Sequence, residues 1–361
     1  MVMSQRPEDD EIEITLLGPG RGECCVLHVG GGEWLVIDSC VTQTGHPAAL
    51  FYLESLGVSP TAVRWIVATH WHDDHIRCFA TLVEKCSQAR VFHSAALEKD
   101  EFTVLAALDA DSLIEGSSGA KEMWKTWTYL KNSGRGSPEL TLSDLRIFQR
   151  PLGLSPNCEI WALSPSNASV AKAITNFSTL IAKVGQPKRA IPRPERNPSS
   201  VVIWVRTGDV IVLLGADLER TSEVSRGWQA IINSNGRPLE QAHLIKIPHH
   251  GSHDAHDQAM WNNLLVPYPI AGLTPFKQGN INLPRNSDRA RIASLTSQAW
   301  LTRDNATARP KRRPRPVTKT IKEATRRFER LSINPGRVTF RCHSTQPVRW
   351  TVDAPSPAIQ L

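Results

Sequence analysis

Residues 63–75 read VRWIVATHWHDDH. A run of apolar and β-branched residues passes directly into His70, His72, Asp74 and His75, four side chains of metal-ligating type within six positions. The run reads as a buried strand, so its C-terminal end must lie at an edge where polar groups can converge. The same arrangement recurs twice. VIVLLGAD ends in Asp217, and HLIKIPHH ends in His249 and His250. Three apolar strands that each deliver ligand-type residues at one end predict strand ends from different parts of the chain meeting along a common edge.

The rest of the chain supports a layered molecule. EIEITLL, CCVLHV and LVIDSC are short strands bounded by glycine, which predicts a β-rich opening meander. Residues 46–57 have helical spacing and a glycine stop, ARVFHS and CEIWALSPS are strands, and 95–140 is a weakly patterned, mostly helical stretch. NASVAKAITNFSTLIAK has the spacing of an amphipathic helix, with Asn167 as its cap. GQPKRAIPRPERNP at 185–198 is a loop, SSVVIWVRTGDVIVLLGAD is two strands joined at TGD, and RVTFRCHSTQPVRWTV is a closing hairpin. Strands, helices, strands, helices is the order of a four-layer α/β sandwich of two similar halves. We read residues 11–361 as one domain with a helical insertion at about 95–140, a basic segment at about 303–330 before the hairpin, and a flexible leader at 1–10.

Composition narrows the function. Of the 361 residues 40% are apolar, but runs such as VVIWV are too short to span a bilayer, so no membrane span is expected. The leader MVMSQRPEDDEIEITLL is acidic where a secretory signal needs basic residues, which favours the cytoplasm. Seven cysteines show neither CxxC spacing nor the density of a disulfide scaffold. The net charge of +7 is concentrated: from Arg303 to Arg330 eleven Lys and Arg face three acids, so the remainder sums to −1. Such a segment suits a polyanion, since neutralising phosphates releases counterions. A solvated loop would carry the same composition.

Histidines at i and i+2 beyond a strand can point to one centre, while Asp and His at i+4 and i+5 turn toward a second. Imidazole plus carboxylate, without thiolate, suits Zn²⁺, Mn²⁺ or Fe²⁺. HWHDDH resembles the HxHxDH signature of the metallo-β-lactamase superfamily, and LVIDSC resembles the strand that ends in that family's structural aspartate, here Asp38. More narrowly, NPSSVVIWV, VIVLLGAD and IKIPHHGS resemble the soluble hydrolase domain of ComEC-type DNA-uptake proteins. The resemblance implies an αββα metallo-β-lactamase fold and two divalent ions, Zn or Mn. Of these, His70 and His72 would hold one, Asp74 and His75 the other, and Asp217 would bridge. His249 would complete the second site, with His250 the competing candidate. Where many members place another site-one histidine, this chain has Asn197 to Ser200. Arg77-Cys78 replaces the usual Gly-Gly, and LPRNSD places Arg285 where such domains often carry a histidine.

The expected function is a metal-dependent phosphodiesterase or nuclease acting on nucleic acid or a nucleotide. Asp74 or Asp217 would orient the attacking water, and Lys246, Ser252 and His250 would contact phosphate. Asn197, Ser200, Ser252, Arg77 and Arg285 are the candidate substrate-binding residues, with Lys246 counted beside Asp74 and Asp217 as catalytic. A lactonase or thioesterase on the same scaffold is the first alternative. A metal-binding component of a bacterial multi-protein defence system, with protein partners, is the second. His253 and His256 read as surface residues.

Overall fold

The computed structural model describes residues 5–18, 22–97, 119–181, 197–304 and 336–361, together with Val317, Thr320 and Ala324. Its first sheet draws on β1 (Glu11–Leu17), β2 (Cys24–Val29), β3 (Trp34–Ile37), β4 (Val63–Ala68), β5 (Arg90–Ser94) and β6 (Glu139–Thr141). The chain then builds a second sheet from β7 (Leu145–Gln149), β8 (Cys158–Ala162), β9 (Ile203–Thr207), β10 (Val210–Leu214), β11 (Ala242–Lys246) and β12 (Leu265–Leu273). A hairpin, β13 (Phe276–Gln278) and β14 (Ile281–Leu283), belongs to neither sheet. The chain closes with β15 (Ala299–Leu301), β16 (Arg337–His343), β17 (Thr351–Asp353) and β18 (Ile359–Gln360). The two large sheets run β17-β16-β1-β2-β3-β4-β5-β6 and β18-β15-β12-β11-β10-β9-β8-β7.

The expected αββα sandwich is present, and period-2 alternation shows why. Along β2, Cys24 and Val26 face an apolar cluster shared with the helices Ala48–Ser55 and Phe79–Lys85, whereas Cys25 and Leu27 face the other sheet. Along β10, Val210, Val212 and Leu214 point inward, while Ile211 and Leu213 pack under the helices Gly227–Ile232 and Gln258–Leu264. Four layers thus create three apolar interfaces, and strands covered on both faces read as continuous hydrophobic runs.

β3, β4 and β5 are parallel in the first sheet, as are β10, β11 and β12 in the second. Parallel neighbours place their C-terminal ends on the same side, so the residues after β3, β4, β10 and β11 collect at one edge. The opening meander, the two-residue turn at Gly208-Asp209 and the closing hairpin form as expected. β18 leaves that hairpin and pairs with β15 on the other sheet, which the sequence pattern does not indicate.

Several expectations meet the described residues only in part. Of the stretch 95–140, the helix Gly119–Asn132 is described and 98–118 lies outside. The loop 185–196 and most of the basic segment beyond Asp304 lie outside as well. The helix Asn167–Ile181 is capped by Ser166, whose Oγ accepts the Ser169 N–H at 3.2 Å, and Asn167 is its first residue. In the leader, the Asp9 carbonyl accepts from the Gly31 N–H and the Asp10 carbonyl from the Ser344 N–H. No helix among the described residues is long and apolar enough to cross a membrane.

Candidate metal centre

The strand β4 ends at Ala68, and the next seven residues carry four of the candidate ligands. Residues Asp73–Ile76 form one helical turn, which brings Asp74 and His75 back over the strand end while His70 and His72 remain on the extended segment before it. Trp71 between them is buried in the helix-side core.

Each ring nitrogen that faces outward is already engaged. The Asp38 carboxylate, just after β3, accepts from the Thr69 N–H (2.8 Å) and hydroxyl (2.7 Å) and from His75 Nδ1 (2.7 Å). Because the Thr69 hydroxyl donates to Asp38, it accepts from His70 Nδ1 at 3.0 Å. His250 Nδ1 lies 3.2 Å from the Thr274 carbonyl. In their neutral form the three imidazoles would thereby hold their protons on Nδ1 and turn the Nε2 lone pairs inward, the tautomer a metal requires.

The inward atoms converge. His75 Nε2 lies 3.2 Å from Asp217 Oδ2 and 3.8 Å from Asp74 Oδ2, and His250 Nε2 lies 3.5 Å from Asp74 Oδ2 and 3.8 Å from Asp217 Oδ2. His70 Nε2 is 2.9 Å from His72 Nδ1 and 3.9 Å from Asp217 Oδ2. Asp217 therefore stands between a His70–His72 group and an Asp74–His75–His250 group. His250, not His249, faces both of the second group's carboxylates.

These residues fit divalent cations. His75 Nε2, His250 Nε2 and Asp217 Oδ1 are buried and have no hydrogen-bond partner among the described residues. Groups of that kind are costly unless a ligand engages them. Charge leads to the same conclusion. Glu23, Asp38, Asp74 and Asp217 are four carboxylates beside one fixed cation, Lys246, which leaves −3 when the histidines are neutral. Two divalent ions would bring the centre to +1. In their absence burial depresses the His75 pKa, but Asp217, Asp38, Glu23 and Asp74 outweigh it and hold it well above the ordinary value. Burial, with His75 and His72 nearby, keeps His70 well below its ordinary value. Burial acts to raise Asp217, yet His75, His250 and His249 keep it well below the usual carboxylate range.

Backbone strain is concentrated here. Asp38, Cys78, Ala216, His249 and His250 have φ of 61°, 56°, 45°, 46° and 53°, a left-handed region that costs a residue with a Cβ about 1–2 kcal/mol. Cys78 takes this conformation where the resemblance expects glycine. Gly22 has φ +98°, and a Cβ there would lie 3.0 Å from the Asp74 carbonyl oxygen. That close approach lets the Glu23 N–H donate to the same carbonyl at 2.9 Å.

The remaining predicted residues are distributed around this core. Lys246 is on β11 with its side chain in the interface between the sheets. There its ammonium pairs with Glu23 Oε1, lies 3.8 Å from Asp217 Oδ1 and donates to the Ala216 carbonyl at 2.8 Å. His249 Nδ1 pairs with Glu219 Oε1 at 3.0 Å, and Asn197 Nδ2 donates to the same oxygen at 2.8 Å while lying 3.3 Å from His249 Nε2. Asn197 thus supports His249 at the rim. Ser200 is buried, with its carbonyl accepting from Ser164 Oγ at 2.6 Å. Ser252 Oγ accepts the Asp254 N–H at 3.4 Å and caps a short helical turn. Arg77 is half-buried after the ligand turn, its carbonyl accepting from Ser39 Oγ at 2.7 Å. Arg285 is exposed at the start of the helix Asn286–Leu295. His253 is exposed and His256 half-buried, and neither belongs to a ligand group among the described residues.

Two acids had no place in the sequence reading. Glu23 precedes an apolar strand, and a charge at such a boundary is a weak sign of burial. Glu219 lies two residues beyond Asp217, and nothing local distinguishes it from a surface acid.

Residues 17–101 match the model of the metallo-beta-lactamase superfamily. That region contains β2 to β5 with Asp38, His70, His72, Asp74 and His75. Solved structures with similar folds include the metallo-beta-lactamase fold protein YhfI from Bacillus subtilis, at 12% identity and TM-score 0.41, covering 81% of this chain and 95% of that one. A metallo-beta-lactamase with a HARLDQ motif from Cronobacter sakazakii is 14% identical at TM-score 0.33, covering 64% of this chain and 73% of that one. No curated protein matches the chain. The metallo-β-lactamase fold implies divalent metal binding, and the two groups that share Asp217 are where this chain would place it.

Proposed function

We propose that the chain is a metal-dependent hydrolase of phosphodiesters, acting on nucleic acid or nucleotides. The observation that carries this reading is Asp217, shared by two candidate ligand groups: Nε2 of His70, of His75 and of His250 each lie within 4 Å of its carboxylate. His70 and His72 would hold one ion, Asp74, His75 and His250 the other. Two ions so placed would lower the pKa of water and neutralise charge building on phosphoryl oxygens.

The chain's own residues supply the rest. Asp217 Oδ1 lacks a hydrogen-bond partner among the described residues and can accept a hydrogen bond that orients the attacking water. Asp38 and Thr69 fix the rings of His75 and His70 so that no reorientation is needed during the reaction. Glu23 neutralises Lys246, which leaves the ammonium as a buried support for Asp217 and not a direct substrate contact. His249, one-fifth exposed and fixed by Glu219, stands at the rim where a leaving group would pass.

Three features favour phosphate over a lactone or thioester. With two ions the centre carries net positive charge, Arg285 is exposed nearby, and Arg303 to Arg330 is a basic segment suited to a polyanion. The narrower likeness to ComEC-type hydrolase domains, carried by NPSSVVIWV, VIVLLGAD and IKIPHHGS, favours DNA or RNA among phosphodiesters. The test is cleavage of single- and double-stranded DNA and RNA and of cyclic dinucleotides by protein purified with Mn²⁺ or Zn²⁺. Cleavage of at least one, lost in an Asp74→Ala, His75→Ala double variant, is expected. Equal rates for both proteins on every substrate would reject the proposal.

A further inference from the structure

Residues of the β13–β14 hairpin and of the first turns of the helix Asn286–Leu295 line an open cleft of about 410 Å³. Its lining includes Asn280, Ile281, Asn282, Arg285, Asn286 and Arg289. The hairpin is hydrogen-bonded to neither large sheet. Its base is tied to the centre. Phe276 stacks on the ring of the ligand His250, with centroids 5.2 Å apart and planes at 25°. A side chain at Gly251 would meet Pro284 at 3.4 Å, and Arg291 donates to the Gly251 carbonyl at 2.7 Å. Pro284, which also lines the cleft, thus lies against the residue that follows His250.

We propose that this cleft is a nucleotide subsite that holds the strand next to the scissile phosphate; it rests on the phosphodiesterase reading above. Arg285 is exposed and forms no ion pair among the described residues, so its guanidinium is free to grip a phosphate in bidentate fashion. Arg289 is held by Asp304 at 2.7 Å and forms a fixed wall. Three asparagine amides offer paired donors and acceptors, the chemistry that reads base edges. Ile281, 54% exposed, offers an apolar surface for a base face. The volume lies within the range of about 300–1,000 Å³ usual for small-ligand sites. An acidic peptide would use the arginine but would leave the amides and Ile281 unused.

The experiment is fluorescence anisotropy with a labelled single-stranded oligonucleotide of about eight nucleotides and the full chain in chelator. Wild type is compared with Arg285→Ala and with an Asn280→Ala, Asn282→Ala double variant. Each variant should bind about tenfold more weakly. Arg285→Ala should also reduce the slope of log Kd against log salt by about one. Unchanged melting and metal content would show that the variants are folded, as expected for exposed positions. Affinities indistinguishable from wild type in both would overturn the subsite. Binding is read without cleavage, so the two readings fail separately. A chain that binds through this cleft but cleaves nothing refutes the phosphodiesterase, and one that cleaves with unchanged affinity and KM in both variants refutes the subsite.

Discussion

Replacing Lys246 with methionine keeps the length and most of the packing of the side chain and removes one buried charge. The ammonium pairs with Glu23 Oε1 and lies 3.8 Å from Asp217 Oδ1. At an effective dielectric constant of about 20, the Asp217 attraction alone is about 4 kcal/mol before desolvation is deducted. Removing one partner of a buried pair strands the other, and the net loss is typically about 3–5 kcal/mol. We therefore expect Lys246→Met to destabilise the metal-free protein by that amount, read from the urea midpoint in chelator by tryptophan fluorescence. Adding Glu23→Gln should recover most of the loss, because the stranded carboxylate is then neutral. The reasoning would be refuted by a single variant within about 1 kcal/mol of wild type, or by a double variant no more stable than the single.

Metal binding separates the two adjacent histidines: His250→Ala should lose about one equivalent of metal by elemental analysis, whereas His249→Ala should keep both. Asp38→Asn leaves the size of the side chain unchanged but weakens the hold on His75, and calorimetry should show metal affinity lower by about 10- to 100-fold. Cys78→Gly relieves a left-handed conformation at φ 56° and should raise stability by up to about 1 kcal/mol, after the extra entropy of glycine in the unfolded chain is deducted. Burial pulls the His93 pKa down to about 4, against an ordinary value near 6.5. Its folded form therefore stays neutral while the unfolded chain takes up a proton. Stability is full above about pH 6.5 and falls by about 3 kcal/mol as the pH drops toward 4. His93→Gln should flatten that part of the stability profile in pH-dependent urea unfolding, and an unchanged slope would exclude His93 as its source.

The ligand motif, the three strands that deliver it and the layer order were legible in the sequence because each depends on short-range pattern. Apolar runs bounded by turns specify strands covered on both faces, and HWHDDH places four ligand-type residues within a single strand end and turn. What the sequence left open depended on which way side chains point once the two sheets are stacked. Lys246 is adjacent in the chain to Ile245, and only the register of β11 turns one inward to Glu23 and the other outward to the helices. His249 and His250 are equivalent as letters, and the successive left-handed residues turn His250 toward Asp74 and His249 toward Glu219. Glu23 and Asp217 are 194 positions apart and meet only because the sheets pack face to face, so no local pattern could have paired them. Residue type was thus legible along the chain, while which side chains meet at the candidate metal centre followed from long-range packing.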